Sequence, residues 1–212
     1  MTKKAFFGGT FDPPHNAHIS IAASVLSAGL ADEIIFVPAF APPHKTGHPS
    51  ASFEDRLKMT KLATEGEPRF SVSDIEGRMR KTPSFTHDTM TEIQSLYPKD
   101  QIMLLIGSDS LLYLHTWHMA KEIVRKWKIL TYPRPGFEIS ISDLEKFWPS
   151  NIANNLLRGV LKELALSNLA SSQIRYNINA KGTSQESLSP KVADYIKKKG
   201  LYKKINKGAS DA

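Results

Sequence analysis

The run Gly8-Gly9-Thr10-Phe11-Asp12-Pro13-Pro14-His15-Asn16-Ala17-His18 gathers the residue types that handle phosphate. Gly8 and Gly9 let a backbone approach a ligand with no Cβ in the way. The free N–H groups and dipole of a helix starting near Asn16 favour an anion. His15 and His18, one turn apart, share a helix face and can reach the same phosphate. Together they point to a nucleotide-phosphate site whose working groups are imidazoles. Taken singly, each histidine reads first as a polar helix-end residue, and the glycines as an ordinary strand-to-helix turn.

Further clusters follow apolar runs or open helices. In Ala41-Pro42-Pro43-His44-Lys45 two prolines stiffen the loop and present His44 and Lys45 in a fixed direction; the plain alternative is an exposed proline-rich loop. Asp109, in Gly107-Ser108-Asp109-Ser110, either caps the next helix or accepts hydrogen bonds from ribose hydroxyls. Thr116-Trp117-His118 stands at an expected helix start, where Trp117 is either core or a stacking platform. Ser84-Phe85-Thr86 precedes a helix whose first N–H groups can receive a carboxylate. Arg134 sits on the rigid turn Tyr132-Pro133-Arg134-Pro135-Gly136. Ser171 and Ser172 at a helix start, with Arg175 one turn on, suit a polyphosphate, although helix capping alone would also use a serine there. Two anion sites at opposite ends of the chain read as the two ends of one nucleotide cleft.

Positioning these clusters falls to alternating strands and helices. Strands are expected at Lys3–Gly8, Glu33–Pro38, Arg69–Ile75, Gln101–Ile106 and Lys128–Tyr132. Helices are expected over Asn16–Leu30, from Ser52 onward, and over Thr86–Leu96. Leu144–Trp148 and Ile152–Leu164 read as helical, Ala165–Leu169 as a short strand, and Ser171–Asn179 and Pro190–Lys199 as two closing helices. This alternation predicts an α/β, Rossmann-like, doubly wound parallel sheet with helices on both faces and a small helical C-terminal part. Ligands of such sheets sit beyond the carboxyl ends of the strands, which is where the clusters fall.

With 212 residues, 41% hydrophobic and 23% charged, the chain has the make-up of a globule, expected to form one domain over residues 1–202. No apolar run has the length of a membrane span, and Gly8 interrupts the first one too early for a signal peptide. The cytoplasm is the expected compartment. The lack of cysteine excludes disulfides, thiolate metal sites and a cysteine nucleophile. The net charge of +7 is concentrated: residues 197–212 hold six lysines against Asp211, so the other 196 residues carry only +2. Residues 203–212 read as a mobile basic tail. Without a basic stripe interleaved with aromatics, neither a nucleic-acid partner nor a membrane is expected.

The first run resembles the GxFDPxHxGH signature of the nucleotidyltransferase branch of the HIGH superfamily. Together with PPHK, SFTHDT, IGSDSL followed by TW, YPRPG and SSQIR, it resembles in order and spacing the bacterial nicotinate-nucleotide adenylyltransferase family, over roughly residues 3–202. The final SPKVADYIKKKGLY is also similar to that family's ending. Ala17 departs from the signature's glycine, and Ala170 and Ser172 depart from the family's ISSTxIR pattern.

The resemblance implies that nicotinate mononucleotide attacks the α-phosphorus of ATP, giving deamido-NAD and pyrophosphate. It implies that His18 and His15 donate to phosphoryl oxygens, with Arg175 and Lys45 adding positive charge. Gly8, Gly9, Thr10, Phe11, Gly107, Asp109, Ser171 and Ser172 would complete the ATP site. His44, Lys45, Ser84, Thr86, Trp117, His118 and Arg134 would serve the pyridine nucleotide, with Trp117 stacking on its ring. Mg²⁺ would arrive with the phosphates of ATP, since no His/Asp/Glu cluster suggests a metal held by the protein. Two alternatives stand beside this reading. One is another adenylyltransferase, with dual acid/amide specificity or acting on phosphopantetheine, which would not need PPHK, TW and YPRPG. The other is a non-catalytic nucleotide-binding protein, against which the His15/His18 pair and Arg175 weigh.

Overall fold

A computed structural model of the chain describes residues 1–42, 50–161, 170–181 and 185–203. Five strands, β1 (Lys3–Gly9), β2 (Glu33–Pro38), β3 (Phe70–Val72), β4 (Gln101–Gly107) and β5 (Lys128–Tyr132), form one sheet in the order β3-β2-β1-β4-β5. Every neighbouring pair is parallel. The Rossmann-like expectation therefore holds, and the order reverses direction between β1 and β4. That reversal opens a crevice at the carboxyl end of β1, where ligands of such sheets bind.

Successive β1 side chains face opposite ways and so build two cores. Phe7 joins Phe36, Leu105 and Tyr132 beneath α1 (Asn16–Ser27), which contributes Ala22, Val25 and Leu26. Phe6 joins Val37, Leu104 and Ile106 on the other face, covered by the helices between β3 and β5. These are α3 (Ile75–Met79), α4 (Thr86–Leu96), α5 (Ser108–Leu112) and α6 (Ala120–Lys126), with α7 (Ile141–Glu145) and α8 (Ser150–Arg158) at the sheet's edge. A third cluster joins α2 (Phe53–Thr64) to α9 (Ser171–Lys181) and α10 (Pro190–Lys199) through Met59, Ile174, Ile178, Val192 and Ile196. Among the described residues, no helix is long and apolar enough to cross a membrane.

Several expected boundaries need correction. The first helix stops at Ser27, not Leu30, because Gly29 N–H turns back to Leu26 O and Leu30 N–H to Val25 O. The expected strand Arg69–Ile75 shrinks to Phe70–Val72, and Ile75 instead opens α3 with its side chain buried in the Phe6 core. The helix sought at Leu144–Trp148 spans Ile141–Glu145, started by Ser140, whose hydroxyl accepts from Asp143 N–H. The helix expected to run on to Leu164 ends at Arg158. There the edge of β5 captures the chain: Thr131 N–H donates to Gly159 O and Leu161 N–H to Thr131 O, both at 2.8 Å. Only glycine fits at 159, since a Cβ would lie 2.1 Å from the Ile129 carbonyl oxygen. The strand expected at Ala165–Leu169 falls outside the described residues, as do most of the basic tail, His44 and Lys45.

Candidate active site

The turn after β1 is held in an unusual shape. Phe11 has φ of +47°, a left-handed conformation that costs a non-glycine residue roughly 1–2 kcal/mol. Burial of its ring, stacked edge-on against Phe7 and His18, offsets this, being worth about 1.5–3 kcal/mol. Gly8 and Gly9 are required beside it, because a Cβ on either would come within 2.9 Å of the Phe6 or Phe11 ring. Below the turn lies Arg56, 1% exposed, donating to Thr10 O at 2.8 Å and to Ala51 O at 3.3 Å.

His15 and His18 meet on the first turn of α1. Their rings stack with centroids 3.7 Å apart, and the His15 N–H donates to His18 Nδ1 at 3.2 Å. A neutral imidazole that accepts at Nδ1 carries its proton on Nε2, so the His18 tautomer follows from this contact. His15 is buried, and burial together with the charge of Arg134 pushes its pKa down to about 4. A neutral His15 avoids placing two positive rings face to face.

Arg134 is close enough to act on His15 because the turn after β5 folds over the end of β4. Its Nε lies 3.2 Å from Asp109 Oδ1, its Nη2 donates to Tyr132 Oη at 3.2 Å, and its N–H donates to Ser108 Oγ at 2.9 Å. Asp109 sits inside α5 rather than capping it, since Gly107 holds the cap position. Its carboxylate is partly exposed.

The C-terminal motif reaches the same turn. Ser171 Oγ donates to Pro13 O at 2.9 Å, and Arg175 Nη1 donates to Asp12 O at 2.7 Å while lying 3.9 Å from Asp12 Oδ2. Ser171 therefore ties α9 to the turn, whereas Ser172 is exposed. The two helix starts from opposite ends of the chain do meet.

On the other side of Gly8 and Gly9 a cavity of about 310 Å³ opens over Phe6, Leu104 and Ile106. Its rim comprises Thr10, Ala39, Pro42, Glu76, Ser84, Phe85, Thr86, Ser110, Thr116, Trp117 and His118. Trp117 is half-buried and packs against the Phe6 core while it faces the cavity, so both readings of this residue apply. His118 is exposed and stacks on Phe85 at 4.4 Å. Contrary to expectation, Trp117 and His118 do not open a helix. They follow a 3-10 turn at Leu114–Thr116 and precede α6. Thr86 does open α4. Arg134 is not part of the cavity wall and belongs with Asp109 and Tyr132 on the histidine side.

Glu76, Asp12, Arg56 and Tyr202 carried no role in the sequence reading. Glu76, 7% exposed, accepts from Phe40 N–H and from Thr89 Oγ1, both at 2.9 Å, and burial pushes its carboxyl pKa up against these hydrogen bonds. Ser84 Oγ accepts from Ala41 N–H, so both residues fasten the segment after β2 to the cavity wall. Asp12 accepts from Ser50 N–H, Ala51 N–H and Tyr202 Oη. Arg56 alone left a sequence signal, an arginine one turn before Met59 and Thr60 on the inward face of α2. Among the described residues, no group of three or more His, Cys, Asp or Glu could hold a metal ion.

The chain is similar to known proteins over most of its length. A family model described as cytidylyltransferase-like matches residues 6–177. A Neisseria gonorrhoeae (strain NCCP11945) protein named "Probable nicotinate-nucleotide adenylyltransferase" is 39% identical over 207 residues, covering 96% of this chain and 100% of its own. A Geobacillus thermodenitrificans protein of the same name is 36% identical over 202 residues, 95% of this chain and 87% of its own. Among solved structures, Plasmodium falciparum nicotinic acid mononucleotide adenylyltransferase complexed with NaAD matches the fold with a TM-score of 0.74 at 20% identity, over 95% of this chain and 98% of that one.

Proposed function

The chain belongs to the cytidylyltransferase-like family and, within it, to the nicotinate-nucleotide adenylyltransferases, and we propose that it transfers the adenylyl group of ATP to nicotinate mononucleotide. A phosphate oxygen of the mononucleotide attacks the α-phosphorus in line. The bond from that phosphorus to the bridging oxygen breaks, deamido-NAD forms and pyrophosphate leaves. The attacking phosphate is already anionic, so no general base and no covalent intermediate are needed. Catalysis then rests on positioning and on stabilising charge at the α-phosphoryl group and the leaving pyrophosphate.

The observation that carries this reading is the division of the site by Gly8 and Gly9. An imidazole pair on a helix start lies on one side, and a cavity large enough for a small ligand lies on the other. His18 donates from Nε2 to the transferring phosphoryl oxygens, and Arg175 and Lys45 add charge. His15 orients His18 through its backbone. Gly107, Thr10, Phe11, Ser171 and Ser172 shape the ATP cleft, and Asp109 accepts from the ribose. In the cavity Trp117 stacks on the pyridine ring, and backbone N–H groups near Ser84–Thr86 receive its carboxylate, with His118 on the rim and His44 assigned to the same substrate. Arg134, beside Asp109, acts on the nucleotide phosphates. ATP enters with its divalent metal, Mg²⁺ in this proposal, and the reaction belongs to the cytoplasm.

A pyrophosphate-release assay with nicotinate mononucleotide, nicotinamide mononucleotide and phosphopantetheine tests the reading. A carboxamide presents a donor to the donors that suit a carboxylate, and an unpaired desolvated donor costs roughly 1–3 kcal/mol. The acid is expected to exceed the amide in kcat/KM by at least about tenfold. Equal values would indicate a dual-specificity enzyme, and turnover of phosphopantetheine alone would overturn the assignment.

A further inference from the structure

Asp12 is buried to 2% exposure, and its carboxylate is shared between groups from two other parts of the chain. Oδ2 accepts from Ser50 N–H at 2.7 Å, and Oδ1 accepts from Ala51 N–H at 3.1 Å and from Tyr202 Oη at 2.8 Å. Tyr202 lies just past α10 in a left-handed conformation, with φ of +64°. Burial and the neighbouring Asp12 charge push its phenol pKa well up, so it stays a donor.

The nearest cation to this carboxylate from α9 is Arg175, yet the two do not form a close pair. Arg175 Nη1 spends its short bond on the Asp12 carbonyl at 2.7 Å and stands 3.9 Å from Oδ2. A carboxylate already served by two backbone N–H groups and a phenol has little left to draw the guanidinium in. A buried carboxylate short of a donor would recruit it, because an unsatisfied buried charge is costly.

We propose that Tyr202 is a positioning residue for ATP: by satisfying Asp12, its hydroxyl keeps Arg175 from collapsing onto that carboxylate and so leaves the guanidinium available to the phosphates. The proposal rests on the reading of the His15/Arg175 cleft as an ATP site. It makes the last described turn of the chain part of that site, although Tyr202 touches no substrate.

The test is a double-mutant cycle on the affinity of full-length protein for a non-hydrolysable ATP analogue, measured by titration calorimetry. Tyr202→Phe removes only the hydroxyl and is expected to weaken binding about tenfold, the scale for a lost hydrogen bond to a charged group. In an Arg175→Ala background the same change is expected to cost less than about twofold, since the residue it protects is gone. Ile196→Val loosens the same α2–α9–α10 packing without touching the hydroxyl, and it is expected to leave the affinity unchanged. Wild-type affinity in Tyr202→Phe, an equal loss in both backgrounds, or an equal loss in Ile196→Val would overturn the positioning role while leaving the ATP site intact. A wild-type protein that fails to bind the analogue would instead overturn the ATP reading and this inference with it.

Discussion

His15 and His18 are coupled through the backbone as well as through their rings: the His15 N–H donates to His18 Nδ1 at 3.2 Å, and the imidazole planes lie 25° apart. One histidine thereby sets the tautomer of the other. The arrangement separates two duties that the spacing alone would have assigned to both. His15, buried and neutral, shapes the turn, while His18 presents a donor at Nε2.

Replacing His18 by Asn keeps an acceptor for the His15 N–H and removes the ring donor; Ala removes both. Both variants are expected to lower kcat by about 10²–10³, with a much smaller change in ATP affinity. Steady-state pyrophosphate release and analogue titration separate the two effects. Near-normal turnover in His18→Asn would confine the residue to holding the turn.

His15 makes stability pH-dependent in a defined direction. Its pKa falls from 6.5 to about 4 on folding, so the unfolded state binds the extra proton between those values. The contribution is fully present above about pH 6.5 and is lost as pH falls toward 4, to a total of about 3 kcal/mol. Tm followed from pH 7 to pH 4 is expected to fall less steeply in His15→Gln, which cannot be protonated. Parallel curves would mean that His15 does not titrate in this window.

Trp117 both faces the cavity and packs on the core, so two substitutions are needed. Trp117→Phe keeps most of the packing and is expected to raise KM for the mononucleotide several-fold, as loss of about 1 kcal/mol of stacking implies. KM for ATP should stay near wild type. Trp117→Ala adds a fall in Tm through lost packing. Unchanged KM values in a folded Phe variant would remove the stacking role.

Gly107 has no room for a side chain: a Cβ would lie 2.3 Å from Asp109 Oδ1 and 2.9 Å from Arg134 Nε. Both clashing atoms belong to side chains that can shift, so Gly107→Ala should fold but push the pair apart. An increase of about fivefold or more in KM for ATP is expected, with the mononucleotide KM little changed. Equal effects on both substrates would show that the pair does not belong to the ATP side alone.

Much of this was legible locally. Apolar runs such as Gln101–Ile106 can only be buried strands when helical patterns separate them, and the two glycines with their histidines mark a phosphate turn by residue type. Short elements escaped because their signals are weak: the helix at Ile75–Met79 is one turn long, and the edge of β5 overrode helical periodicity at Gly159 and Val160. Glu76 and Tyr202 were invisible as site residues because a lone carboxylate or phenol has no sequence context that reveals burial.

By itself the sequence determined the alternation of strands and helices, and with it the parallel sheet and the end of the sheet that binds. It also determined the residue types at each turn, because periodicity, glycine and capping act over a few neighbours. Tertiary structure alone decided which clusters meet. The pairing of β5 beside β4 set Arg134 next to Asp109 and within electrostatic reach of His15 instead of in the cavity wall. The packing of α10 against α2 and α9 brought Tyr202 from the far end of the chain onto Asp12. Such contacts depend on how whole elements pack across the sheet, and no local pattern in either partner encodes the other.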